Sequence, residues 1–561
     1  MNRRVSAVYV AICLAAVSLS ATAAGQPHDE RDTAPQAQSQ NGFADLFVAR
    51  LAERRGDFDE AAARYARLAS QAPADPEHVN AAVSASLAAV EPAAALRIAR
   101  AGNAQNAAQD IAPQLVLAAE ALRQRRWNTT TQNASTALNS PGEAGPRLAA
   151  NLLQAWALAG AGDVEAGLET LDRMPRPSGF APSLLYQRAM MLEGARRIEQ
   201  ATAAYQLASN SAQPLPDEIF RLRNFIMRTQ GAAAAEQALP VASLGSVFQA
   251  SPSGANLAPA PTPARSAALG MQALSKMAAA QGDPAQALRL LSLALILDPA
   301  SDAARMVAAD VNESLGQPEA AAHMFAQIPH SSPYYVAAQM RVVHLLQSSP
   351  NPQRAIEAAQ RLAANHPGPE TRCVLAAVLL SNQRYREAID AFLAVLATNQ
   401  QDWRSLFGLA SAHLAAGDWP AAETRFQQAI ALAPQNPDLL NAYGYALIVR
   451  RERAQEGMDL VRRALVARPN DGNIIDSLGW GYFQLGQYPQ AVAQLELAIR
   501  REPANGEIVD HLGDAYWRVG RHTEARYQWQ RAAQITQDAA LRTAIEAKVA
   551  AGLPPAGAAA Q

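Results

Sequence analysis

The feature that most constrains the fold of this chain is a sequence period of about 34 residues. Self-similarity at such a period is typical of repeat architectures, in which each unit buries its apolar face against its neighbours. An extended array also accommodates 561 residues, which exceed the usual size of one compact core. Small residues recur 33, 34 or 35 residues apart at Ala287, Ala321, Ala355, Ala388, Ala422, Gly457, Ala491 and Ala525.

Each period carries the signals of two helices joined by a short turn. Glycines mark the turn between the helices, and a large residue four positions after the small one forms an inward stripe on the second helix. The turn glycines are Gly282, Gly316, Gly417, Gly486 and Gly520. The large residues are Phe325, Phe392, Phe426, Leu495 and Trp529. This pattern predicts an all-α fold of stacked helical hairpins.

The last unit resembles the tetratricopeptide repeat superfamily on its residues as well as its length. Its matching residues are Leu512, Gly513, Tyr516, Gly520, Ala525, Trp529 and Ala532. Small residues at the crossing positions allow close helix approach, so we expect Gly513 and Gly479 at such crossings. The resemblance implies a solenoid, wound as a right-handed superhelix with a concave groove.

The repeats are less regular in the first half of the chain. We predict a degenerate array over residues 42–241, a Pro/Ala-rich linker over 242–266 and a regular array of about eight repeats over 267–535. Residues 536–552 are expected to form a capping helix, because a solenoid must cover its terminal apolar face. Residues 553–561 are expected to be a disordered tail.

The N-terminus has the pattern of a secretory signal. Basic residues precede an apolar run and a small-residue cleavage site, which predicts a signal peptide over residues 1–23 followed by a disordered polar leader over 24–41. The expected location is the periplasm. Cys13 is a poor lipidation site because the bulky Ile12 precedes it. Whether the protein associates with the outer membrane stays open on sequence grounds.

Several site classes do not fit this sequence. Gly479, Gly481 and Gly486 resemble a phosphate-binding loop, but Lys276 and Lys548 are the only lysines and neither follows a glycine. A net charge of −2 without a basic stripe argues against nucleic acid. No histidine pair has metal-ligand spacing. We therefore predict no cofactor, no metal and no enzymatic activity, with His511 as a partly exposed helix residue.

With these site classes excluded, we predict a protein-binding surface on the first helix of each repeat. In this superfamily, positions 5, 9 and 12 of that helix face the groove, and aromatic and polar side chains there suit a peptide segment or folded protein partner. In the last three repeats these positions hold Asn441, Tyr445, Ile448, Asp476, Trp480, Phe483, Asp510, Asp514 and Trp517. Packing against a neighbouring helix is the alternative for Phe483 and Trp517.

A narrower resemblance covers about a hundred residues from Asn441. The motifs "NAYGYAL", "DSLGWGYFQLG" and "HLGDAYWRVG" are similar to the C-terminal repeats of exported bacterial adaptors of carboxyl-terminal processing proteases. That resemblance implies an adaptor that binds the protease and presents envelope substrates. Those adaptors are typically lipoproteins, which this chain does not match.

Two alternatives stay open on sequence grounds. The chain could be a structural scaffold in outer-membrane assembly or exopolysaccharide secretion, or it could hold an enzyme within its irregular first half. Co-fractionation with membrane complexes would favour the first of these, and turnover by the purified chain alone would favour the second.

Overall fold

The structure is a computed structural model that describes residues 42–141, 143–177, 180–210, 215–239, 262–348, 351–451 and 453–554. Within these ranges the chain forms 29 helices and no strand, which confirms the predicted all-α repeat fold. The predicted signal peptide, the leader, most of the linker and most of the tail lie outside the described residues. None of the described helices is both long and apolar enough to cross a membrane.

Residue contacts divide the chain into two compact units, which hold described residues 42–345 and 346–554. The helices of the first unit are α1 (Gly42–Arg54), α2 (Phe58–Gln71), α3 (Pro76–Ala88), α4 (Pro92–Ala104), α5 (Ile111–Arg123), α6 (Trp127–Asn139), α7 (Ala144–Gly160), α8 (Val164–Arg173), α9 (Ala181–Gly194), α10 (Ile198–Ser209), α11 (Pro216–Gln230), α12 (Ala232–Ala238), α13 (Pro263–Ala280), α14 (Pro284–Leu297), α15 (Asp302–Ser314), α16 (Pro318–Ala326) and most of α17 (Tyr335–Gln347).

The second unit contains the most regular repeats. Its helices are α18 (Pro352–Asn365), α19 (Pro369–Ser381), α20 (Tyr385–Leu396), α21 (Trp403–Ala415), α22 (Trp419–Leu432), α23 (Pro437–Arg450), α24 (Ala454–Ala467), α25 (Gly472–Gln484), α26 (Tyr488–Arg501), α27 (Gly506–Arg518), α28 (His522–Ile535) and α29 (Ala539–Ala551). The strong contacts inside this unit join helices that are one or two places apart along the chain.

Local signals fix where the helices begin and end. Asp471 caps α25 by accepting hydrogen bonds from the backbone N–H groups of Asn473 and Ile474, and Asn505 caps α27 in the same way. The turns between paired helices need a left-handed residue, which glycine adopts at little cost. All five predicted turn glycines have φ between +74° and +85°, which confirms their placement.

Glycine also permits close contact between helices in the second unit. A Cβ on Gly479 would lie 2.8 Å from Leu495 Cγ, which confirms the predicted crossing. Gly481, which the repeat pattern leaves unexplained, has a similar role, because its Cβ would lie 2.7 Å from Met458 Cγ. Separations this short are too close for two carbon atoms. Both glycines therefore serve helix packing and not phosphate binding.

The first unit contains a helical hairpin that packs against earlier repeats of the same unit. Helices α13 and α14 contact α3, α5, α7 and α9, the first helices of four successive pairs. The hydroxyl of Ser292 on α14 donates a hydrogen bond to the Leu87 carbonyl on α3. All residues of α14 from Gln286 to Leu297 except Arg289 are buried. The hairpin and the repeats thus share one hydrophobic core.

This packing differs from the domain boundaries that the sequence predicts. We expected residues 267–535 to form one array behind a linker over 242–266, whereas the structure assigns α13 to α16 to the first unit. Helix α13 also begins at Pro263, inside the predicted linker, because Thr262 caps it and proline fits its first turn. The 34-residue period continues through α13 and α14 and therefore gives no sign of the change in packing partners.

Candidate functional site

The predicted binding residues lie on α23, α25 and α27, and the structure brings several of them together on α25 and α27. On α25, the Trp480 ring stacks on Phe483 with a centroid distance of 4.6 Å and an interplanar angle of 7°. Trp480 also stacks on His511 of α27, with a centroid distance of 4.0 Å and an interplanar angle of 15°. The indole is therefore held by two ring contacts from within the chain, and Trp480 keeps partial exposure.

The same cluster contains a buried hydrogen bond between a carboxylate and an imidazole. The carboxylate of Asp476 is fully buried, and its Oδ1 lies 2.9 Å from Nδ1 of His511. His511 is itself buried, which corrects the expectation that it is partly exposed. The contact holds the imidazole ring flat against Trp480. We call Asp476, Trp480, Phe483 and His511 the stacked cluster.

Next to the stacked cluster, Asp510 and Asp514 lie one turn apart on α27. Both carboxylates are buried, and Nζ of Lys548 on α29 lies 2.8–2.9 Å from all four of their oxygens. The indole Nε1 of Trp529 donates a further hydrogen bond of 2.9 Å to Oδ1 of Asp514. We call Asp510 and Asp514 the carboxylate pair. Lys548 supplies one positive charge against the two carboxylates of this pair.

Burial and charge act against each other in this network. Burial raises the pKa of Asp514 to about 6, although the Lys548 ammonium opposes the rise. Burial also lowers the pKa of Lys548, but Asp514 and Asp510 outweigh that effect, so the pKa of Lys548 is raised above its usual value. The lysine therefore stays charged at neutral pH and holds α29 against α27.

The last turn of α27 is covered by the end of the chain. A Cβ on Gly552, which follows α29, would clash with the indole ring of Trp517. The Arg518 guanidinium donates a hydrogen bond of 2.6 Å to the Pro554 carbonyl. Trp517 also packs beside Trp529, with ring centroids 5.4 Å apart. Trp517 is therefore partly buried by the capping helix and its C-terminal residues.

The three predicted residues of α23 have different surroundings. Ile448 is fully buried in the core between α23 and α25. Tyr445 is 8% exposed, and its hydroxyl lies 3.5 Å from Oε1 of Glu507 at the start of α27. Asn441 is half-buried, and its Oδ1 has no hydrogen-bond partner among the described residues.

These positions correct the predicted groove at several residues. Asp476 and Ile448 have no exposed surface, and Asp510 and Asp514 are enclosed by α29. The physical reason is that alternate helices of this unit pack closely on one another. Some side chains at positions 5, 9 and 12 are therefore buried in helix contacts, and only the others reach the surface. Asn441, Trp480, Phe483 and Trp517 keep partial exposure.

Lys548 is the important residue that sequence reasoning missed. The chain has 48 lysine and arginine residues but only two lysines, so a lysine in the predicted capping helix was an available signal. A compact ammonium group fits between two carboxylates, whereas a planar guanidinium is suited to one carboxylate at a time.

Comparison with protein-family models finds the tetratricopeptide repeat at residues 278–340, 344–402, 373–423, 407–472 and 477–559. The TPR repeat-containing protein PA4667 of Pseudomonas aeruginosa is 29% identical over 172 residues, which are 30% of this chain and 29% of that protein. The chain therefore matches less than a third of the length of that relative.

Solved structures of similar fold include two long repeat proteins. The Cut9 and Hcn1 complex of the APC/C matches 92% of this chain and 97% of its own chain, with 12% identity and a TM-score of 0.39. Yeast Tom70 matches 78% of this chain and 94% of its own, with 13% identity and a TM-score of 0.39. Given the family-model matches and the helical-hairpin architecture, the chain contains tetratricopeptide repeats, which are matched between residues 278 and 559.

Proposed function

We propose that this chain is a non-enzymatic periplasmic adaptor whose second unit binds a protein partner, a carboxyl-terminal processing protease together with its envelope substrates. Tetratricopeptide repeats bind proteins or peptides, which supports the general part of the proposal. The choice of a protease rests on the motifs that begin at Asn441. The periplasmic location rests on the signal-like N-terminus.

The observation that carries the proposal is that the repeats of the first unit already bind a helical hairpin of the same unit. Helices α3, α5, α7 and α9 hold the α13–α14 hairpin, so that surface is already occupied by a helical segment. In the second unit, the strong contacts join only nearby helices, and a comparable inserted hairpin does not occur among its described residues. We therefore infer that the second unit binds the partner protein.

Within the second unit, the partly exposed side chains of the predicted stripe suit a protein ligand. Trp480 and Phe483 form an aromatic ledge that is already ordered by stacking, so binding costs little side-chain entropy. Asn441 adds a partly exposed amide side chain to the stripe. Rigid aromatic anchors next to polar groups are typical of residues that dominate binding energy.

The proposal is tested with purified components. The chain is mixed with a purified carboxyl-terminal processing protease of the same bacterium, and complex formation is measured by calorimetry alongside cleavage of an envelope substrate. We expect a complex and faster cleavage, with weaker binding for Phe483→Ala. Tyr527→Ala is the matched control, because Tyr527 is a 63% exposed aromatic on α28 outside the stripe. Absence of a complex with the wild-type chain would reject the protease as the partner.

A further inference from the structure

Helix α1, the first helix among the described residues, has an exposed apolar face. Phe43 is 79% exposed, Phe47 is 62% exposed and Leu51 is 38% exposed. The three side chains are four residues apart, so they lie on successive turns of one side of the helix. The opposite side of α1 packs through the small residues Ala49 and Ala52. The exposed face of a helix is normally polar, whereas this one carries three large apolar side chains.

The same exposed side of α1 carries positive charge. Arg50 and Arg54 lie on it at helical spacing from Phe43 and Phe47, and both are exposed. The acidic residues of α1 are engaged elsewhere: Asp45 pairs with Arg64 at 2.9 Å, and Glu53 pairs with Arg289 at 3.3 Å. The Arg50 side chain also contacts the Tyr65 hydroxyl. The outer face of α1 therefore combines large apolar side chains with the positive charge of two arginines.

Two occupants from this chain fit the face poorly. Residues 24–41, which directly precede α1, contain no large apolar side chain and so cannot provide an apolar cover. A second copy of α1 would bring Arg50 and Arg54 close to the same arginines, and like charges in contact are unfavourable. The charge of the face instead complements an anionic ligand.

We propose that α1 docks the protein reversibly onto an anionic phospholipid surface. The phenylalanines and Leu51 project from a single convex helix, a shape that enters a deformable lipid interface more readily than the rigid surface of a folded protein. Helices with Phe and Leu beside Arg bind at the level of the lipid headgroups, where arginine contacts phosphate. Three apolar side chains and two arginines give weak, salt-sensitive binding.

The test is co-sedimentation with vesicles of phosphatidylethanolamine and phosphatidylglycerol, compared with vesicles of phosphatidylcholine alone. We expect binding to the anionic vesicles that is lost in 0.5 M salt, because added salt screens the arginine contacts. Phe43→Ala/Phe47→Ala should weaken binding about tenfold. Arg50→Gln/Arg54→Gln should weaken it about thirtyfold, since each basic residue contributes about a factor of five.

All variants keep the same N-terminus, so any contribution of residues 1–41 to vesicle binding cancels in the comparison. Tyr527→Ala, another exposed aromatic substitution, should leave vesicle binding unchanged, and circular dichroism confirms that each variant is folded. Equal binding by the wild type and both α1 variants would overturn the proposal. So would absence of vesicle binding together with loss of a co-purifying acidic protein in the same variants, which would assign the face to a protein partner.

Discussion

The ammonium group of Lys548 lies 2.8 Å from Oδ2 of Asp510, on the helix that the capping helix α29 covers. This contact, with its counterpart to Asp514, joins the last helix of the chain to the last repeat. Helix α29 has only one fully buried residue, Ile545. Its attachment therefore combines this charged contact with the packing of Ile545 and the partly buried Leu541 and Val549.

The first prediction concerns removal of the Lys548 charge. Lys548→Met leaves the two carboxylates buried without a cation, and this should lower the free energy of unfolding of the second unit by about 3 kcal/mol. Chemical denaturation measures the change. Lys276→Met is the control, because Lys276 is exposed and the change there should be neutral. Adding Asp510→Asn and Asp514→Asn to Lys548→Met should restore most of the loss; no restoration would mean that Lys548 acts by packing alone.

The second prediction concerns pH. The pKa of Asp514 is raised to about 6 in the folded chain, above its ordinary value of 3.8. The folded state therefore binds this proton more tightly than the unfolded state, so the contribution of Asp514 to stability rises as pH falls from 7 towards 4. Asp514→Asn removes this pH-dependent contribution to stability. The stability of the wild type relative to Asp514→Asn should be higher at pH 5 than at pH 7.5, and the opposite trend would contradict the buried position of this carboxyl.

The third prediction compares two close helix contacts. A Cβ on Gly444 would lie 2.6 Å from the backbone oxygen of Gly457, whereas a Cβ on Gly481 would meet the Met458 side chain. A methionine can change rotamer, but a backbone oxygen on a packed helix cannot move alone. Gly481→Ala should cost about 1 kcal/mol and Gly444→Ala about 3 kcal/mol. Melting temperatures of the two variants give the order, and equal losses would argue against the geometry of the Gly444 crossing.

The fourth prediction concerns the irregular repeats of the first unit. Arg125 has φ of +58° in the turn between α5 and α6, where Gly56 lies in the turn between α1 and α2. A left-handed conformation costs a non-glycine residue about 1 kcal/mol, and Arg125 is exposed. Arg125→Gly should therefore raise stability by up to about 0.5 kcal/mol after the entropy cost of glycine. Gly56→Ala should lower it, and a loss of stability in Arg125→Gly would show that its side chain contributes elsewhere.

Sequence reasoning was most effective where local chemistry decides the structure. The positive φ of Gly486 follows from its place in a helical hairpin turn, and the burial of Trp529 follows from the repeat pattern. It was less effective where distant segments meet. The packing of α14 on α3 joins residues about two hundred positions apart, as in the bond from Ser292 to Leu87, and a 34-residue period carries no information on that contact.

The sequence also predicted only part of the candidate site, because the rest depends on contacts between helices. The period placed Trp480 and Phe483 on the correct helix, but it did not predict the stacking of Trp480 on Phe483 and on His511. The contact of Trp480 with His511 depends on how closely α25 and α27 pack, which a position number within the repeat does not give. The closure of the carboxylate pair by Lys548 depends in turn on how α29 turns back after α28.

The central claim, that the second unit binds the partner, is tested most directly by hydrogen exchange with and without a saturating amount of the purified protease. The account predicts slower exchange in α23 and α25, around Asn441 and Trp480, with no change in α3, α5, α7 and α9, which already hold the α13–α14 hairpin. Protection confined to the first unit, with α23 and α25 unchanged, would contradict it.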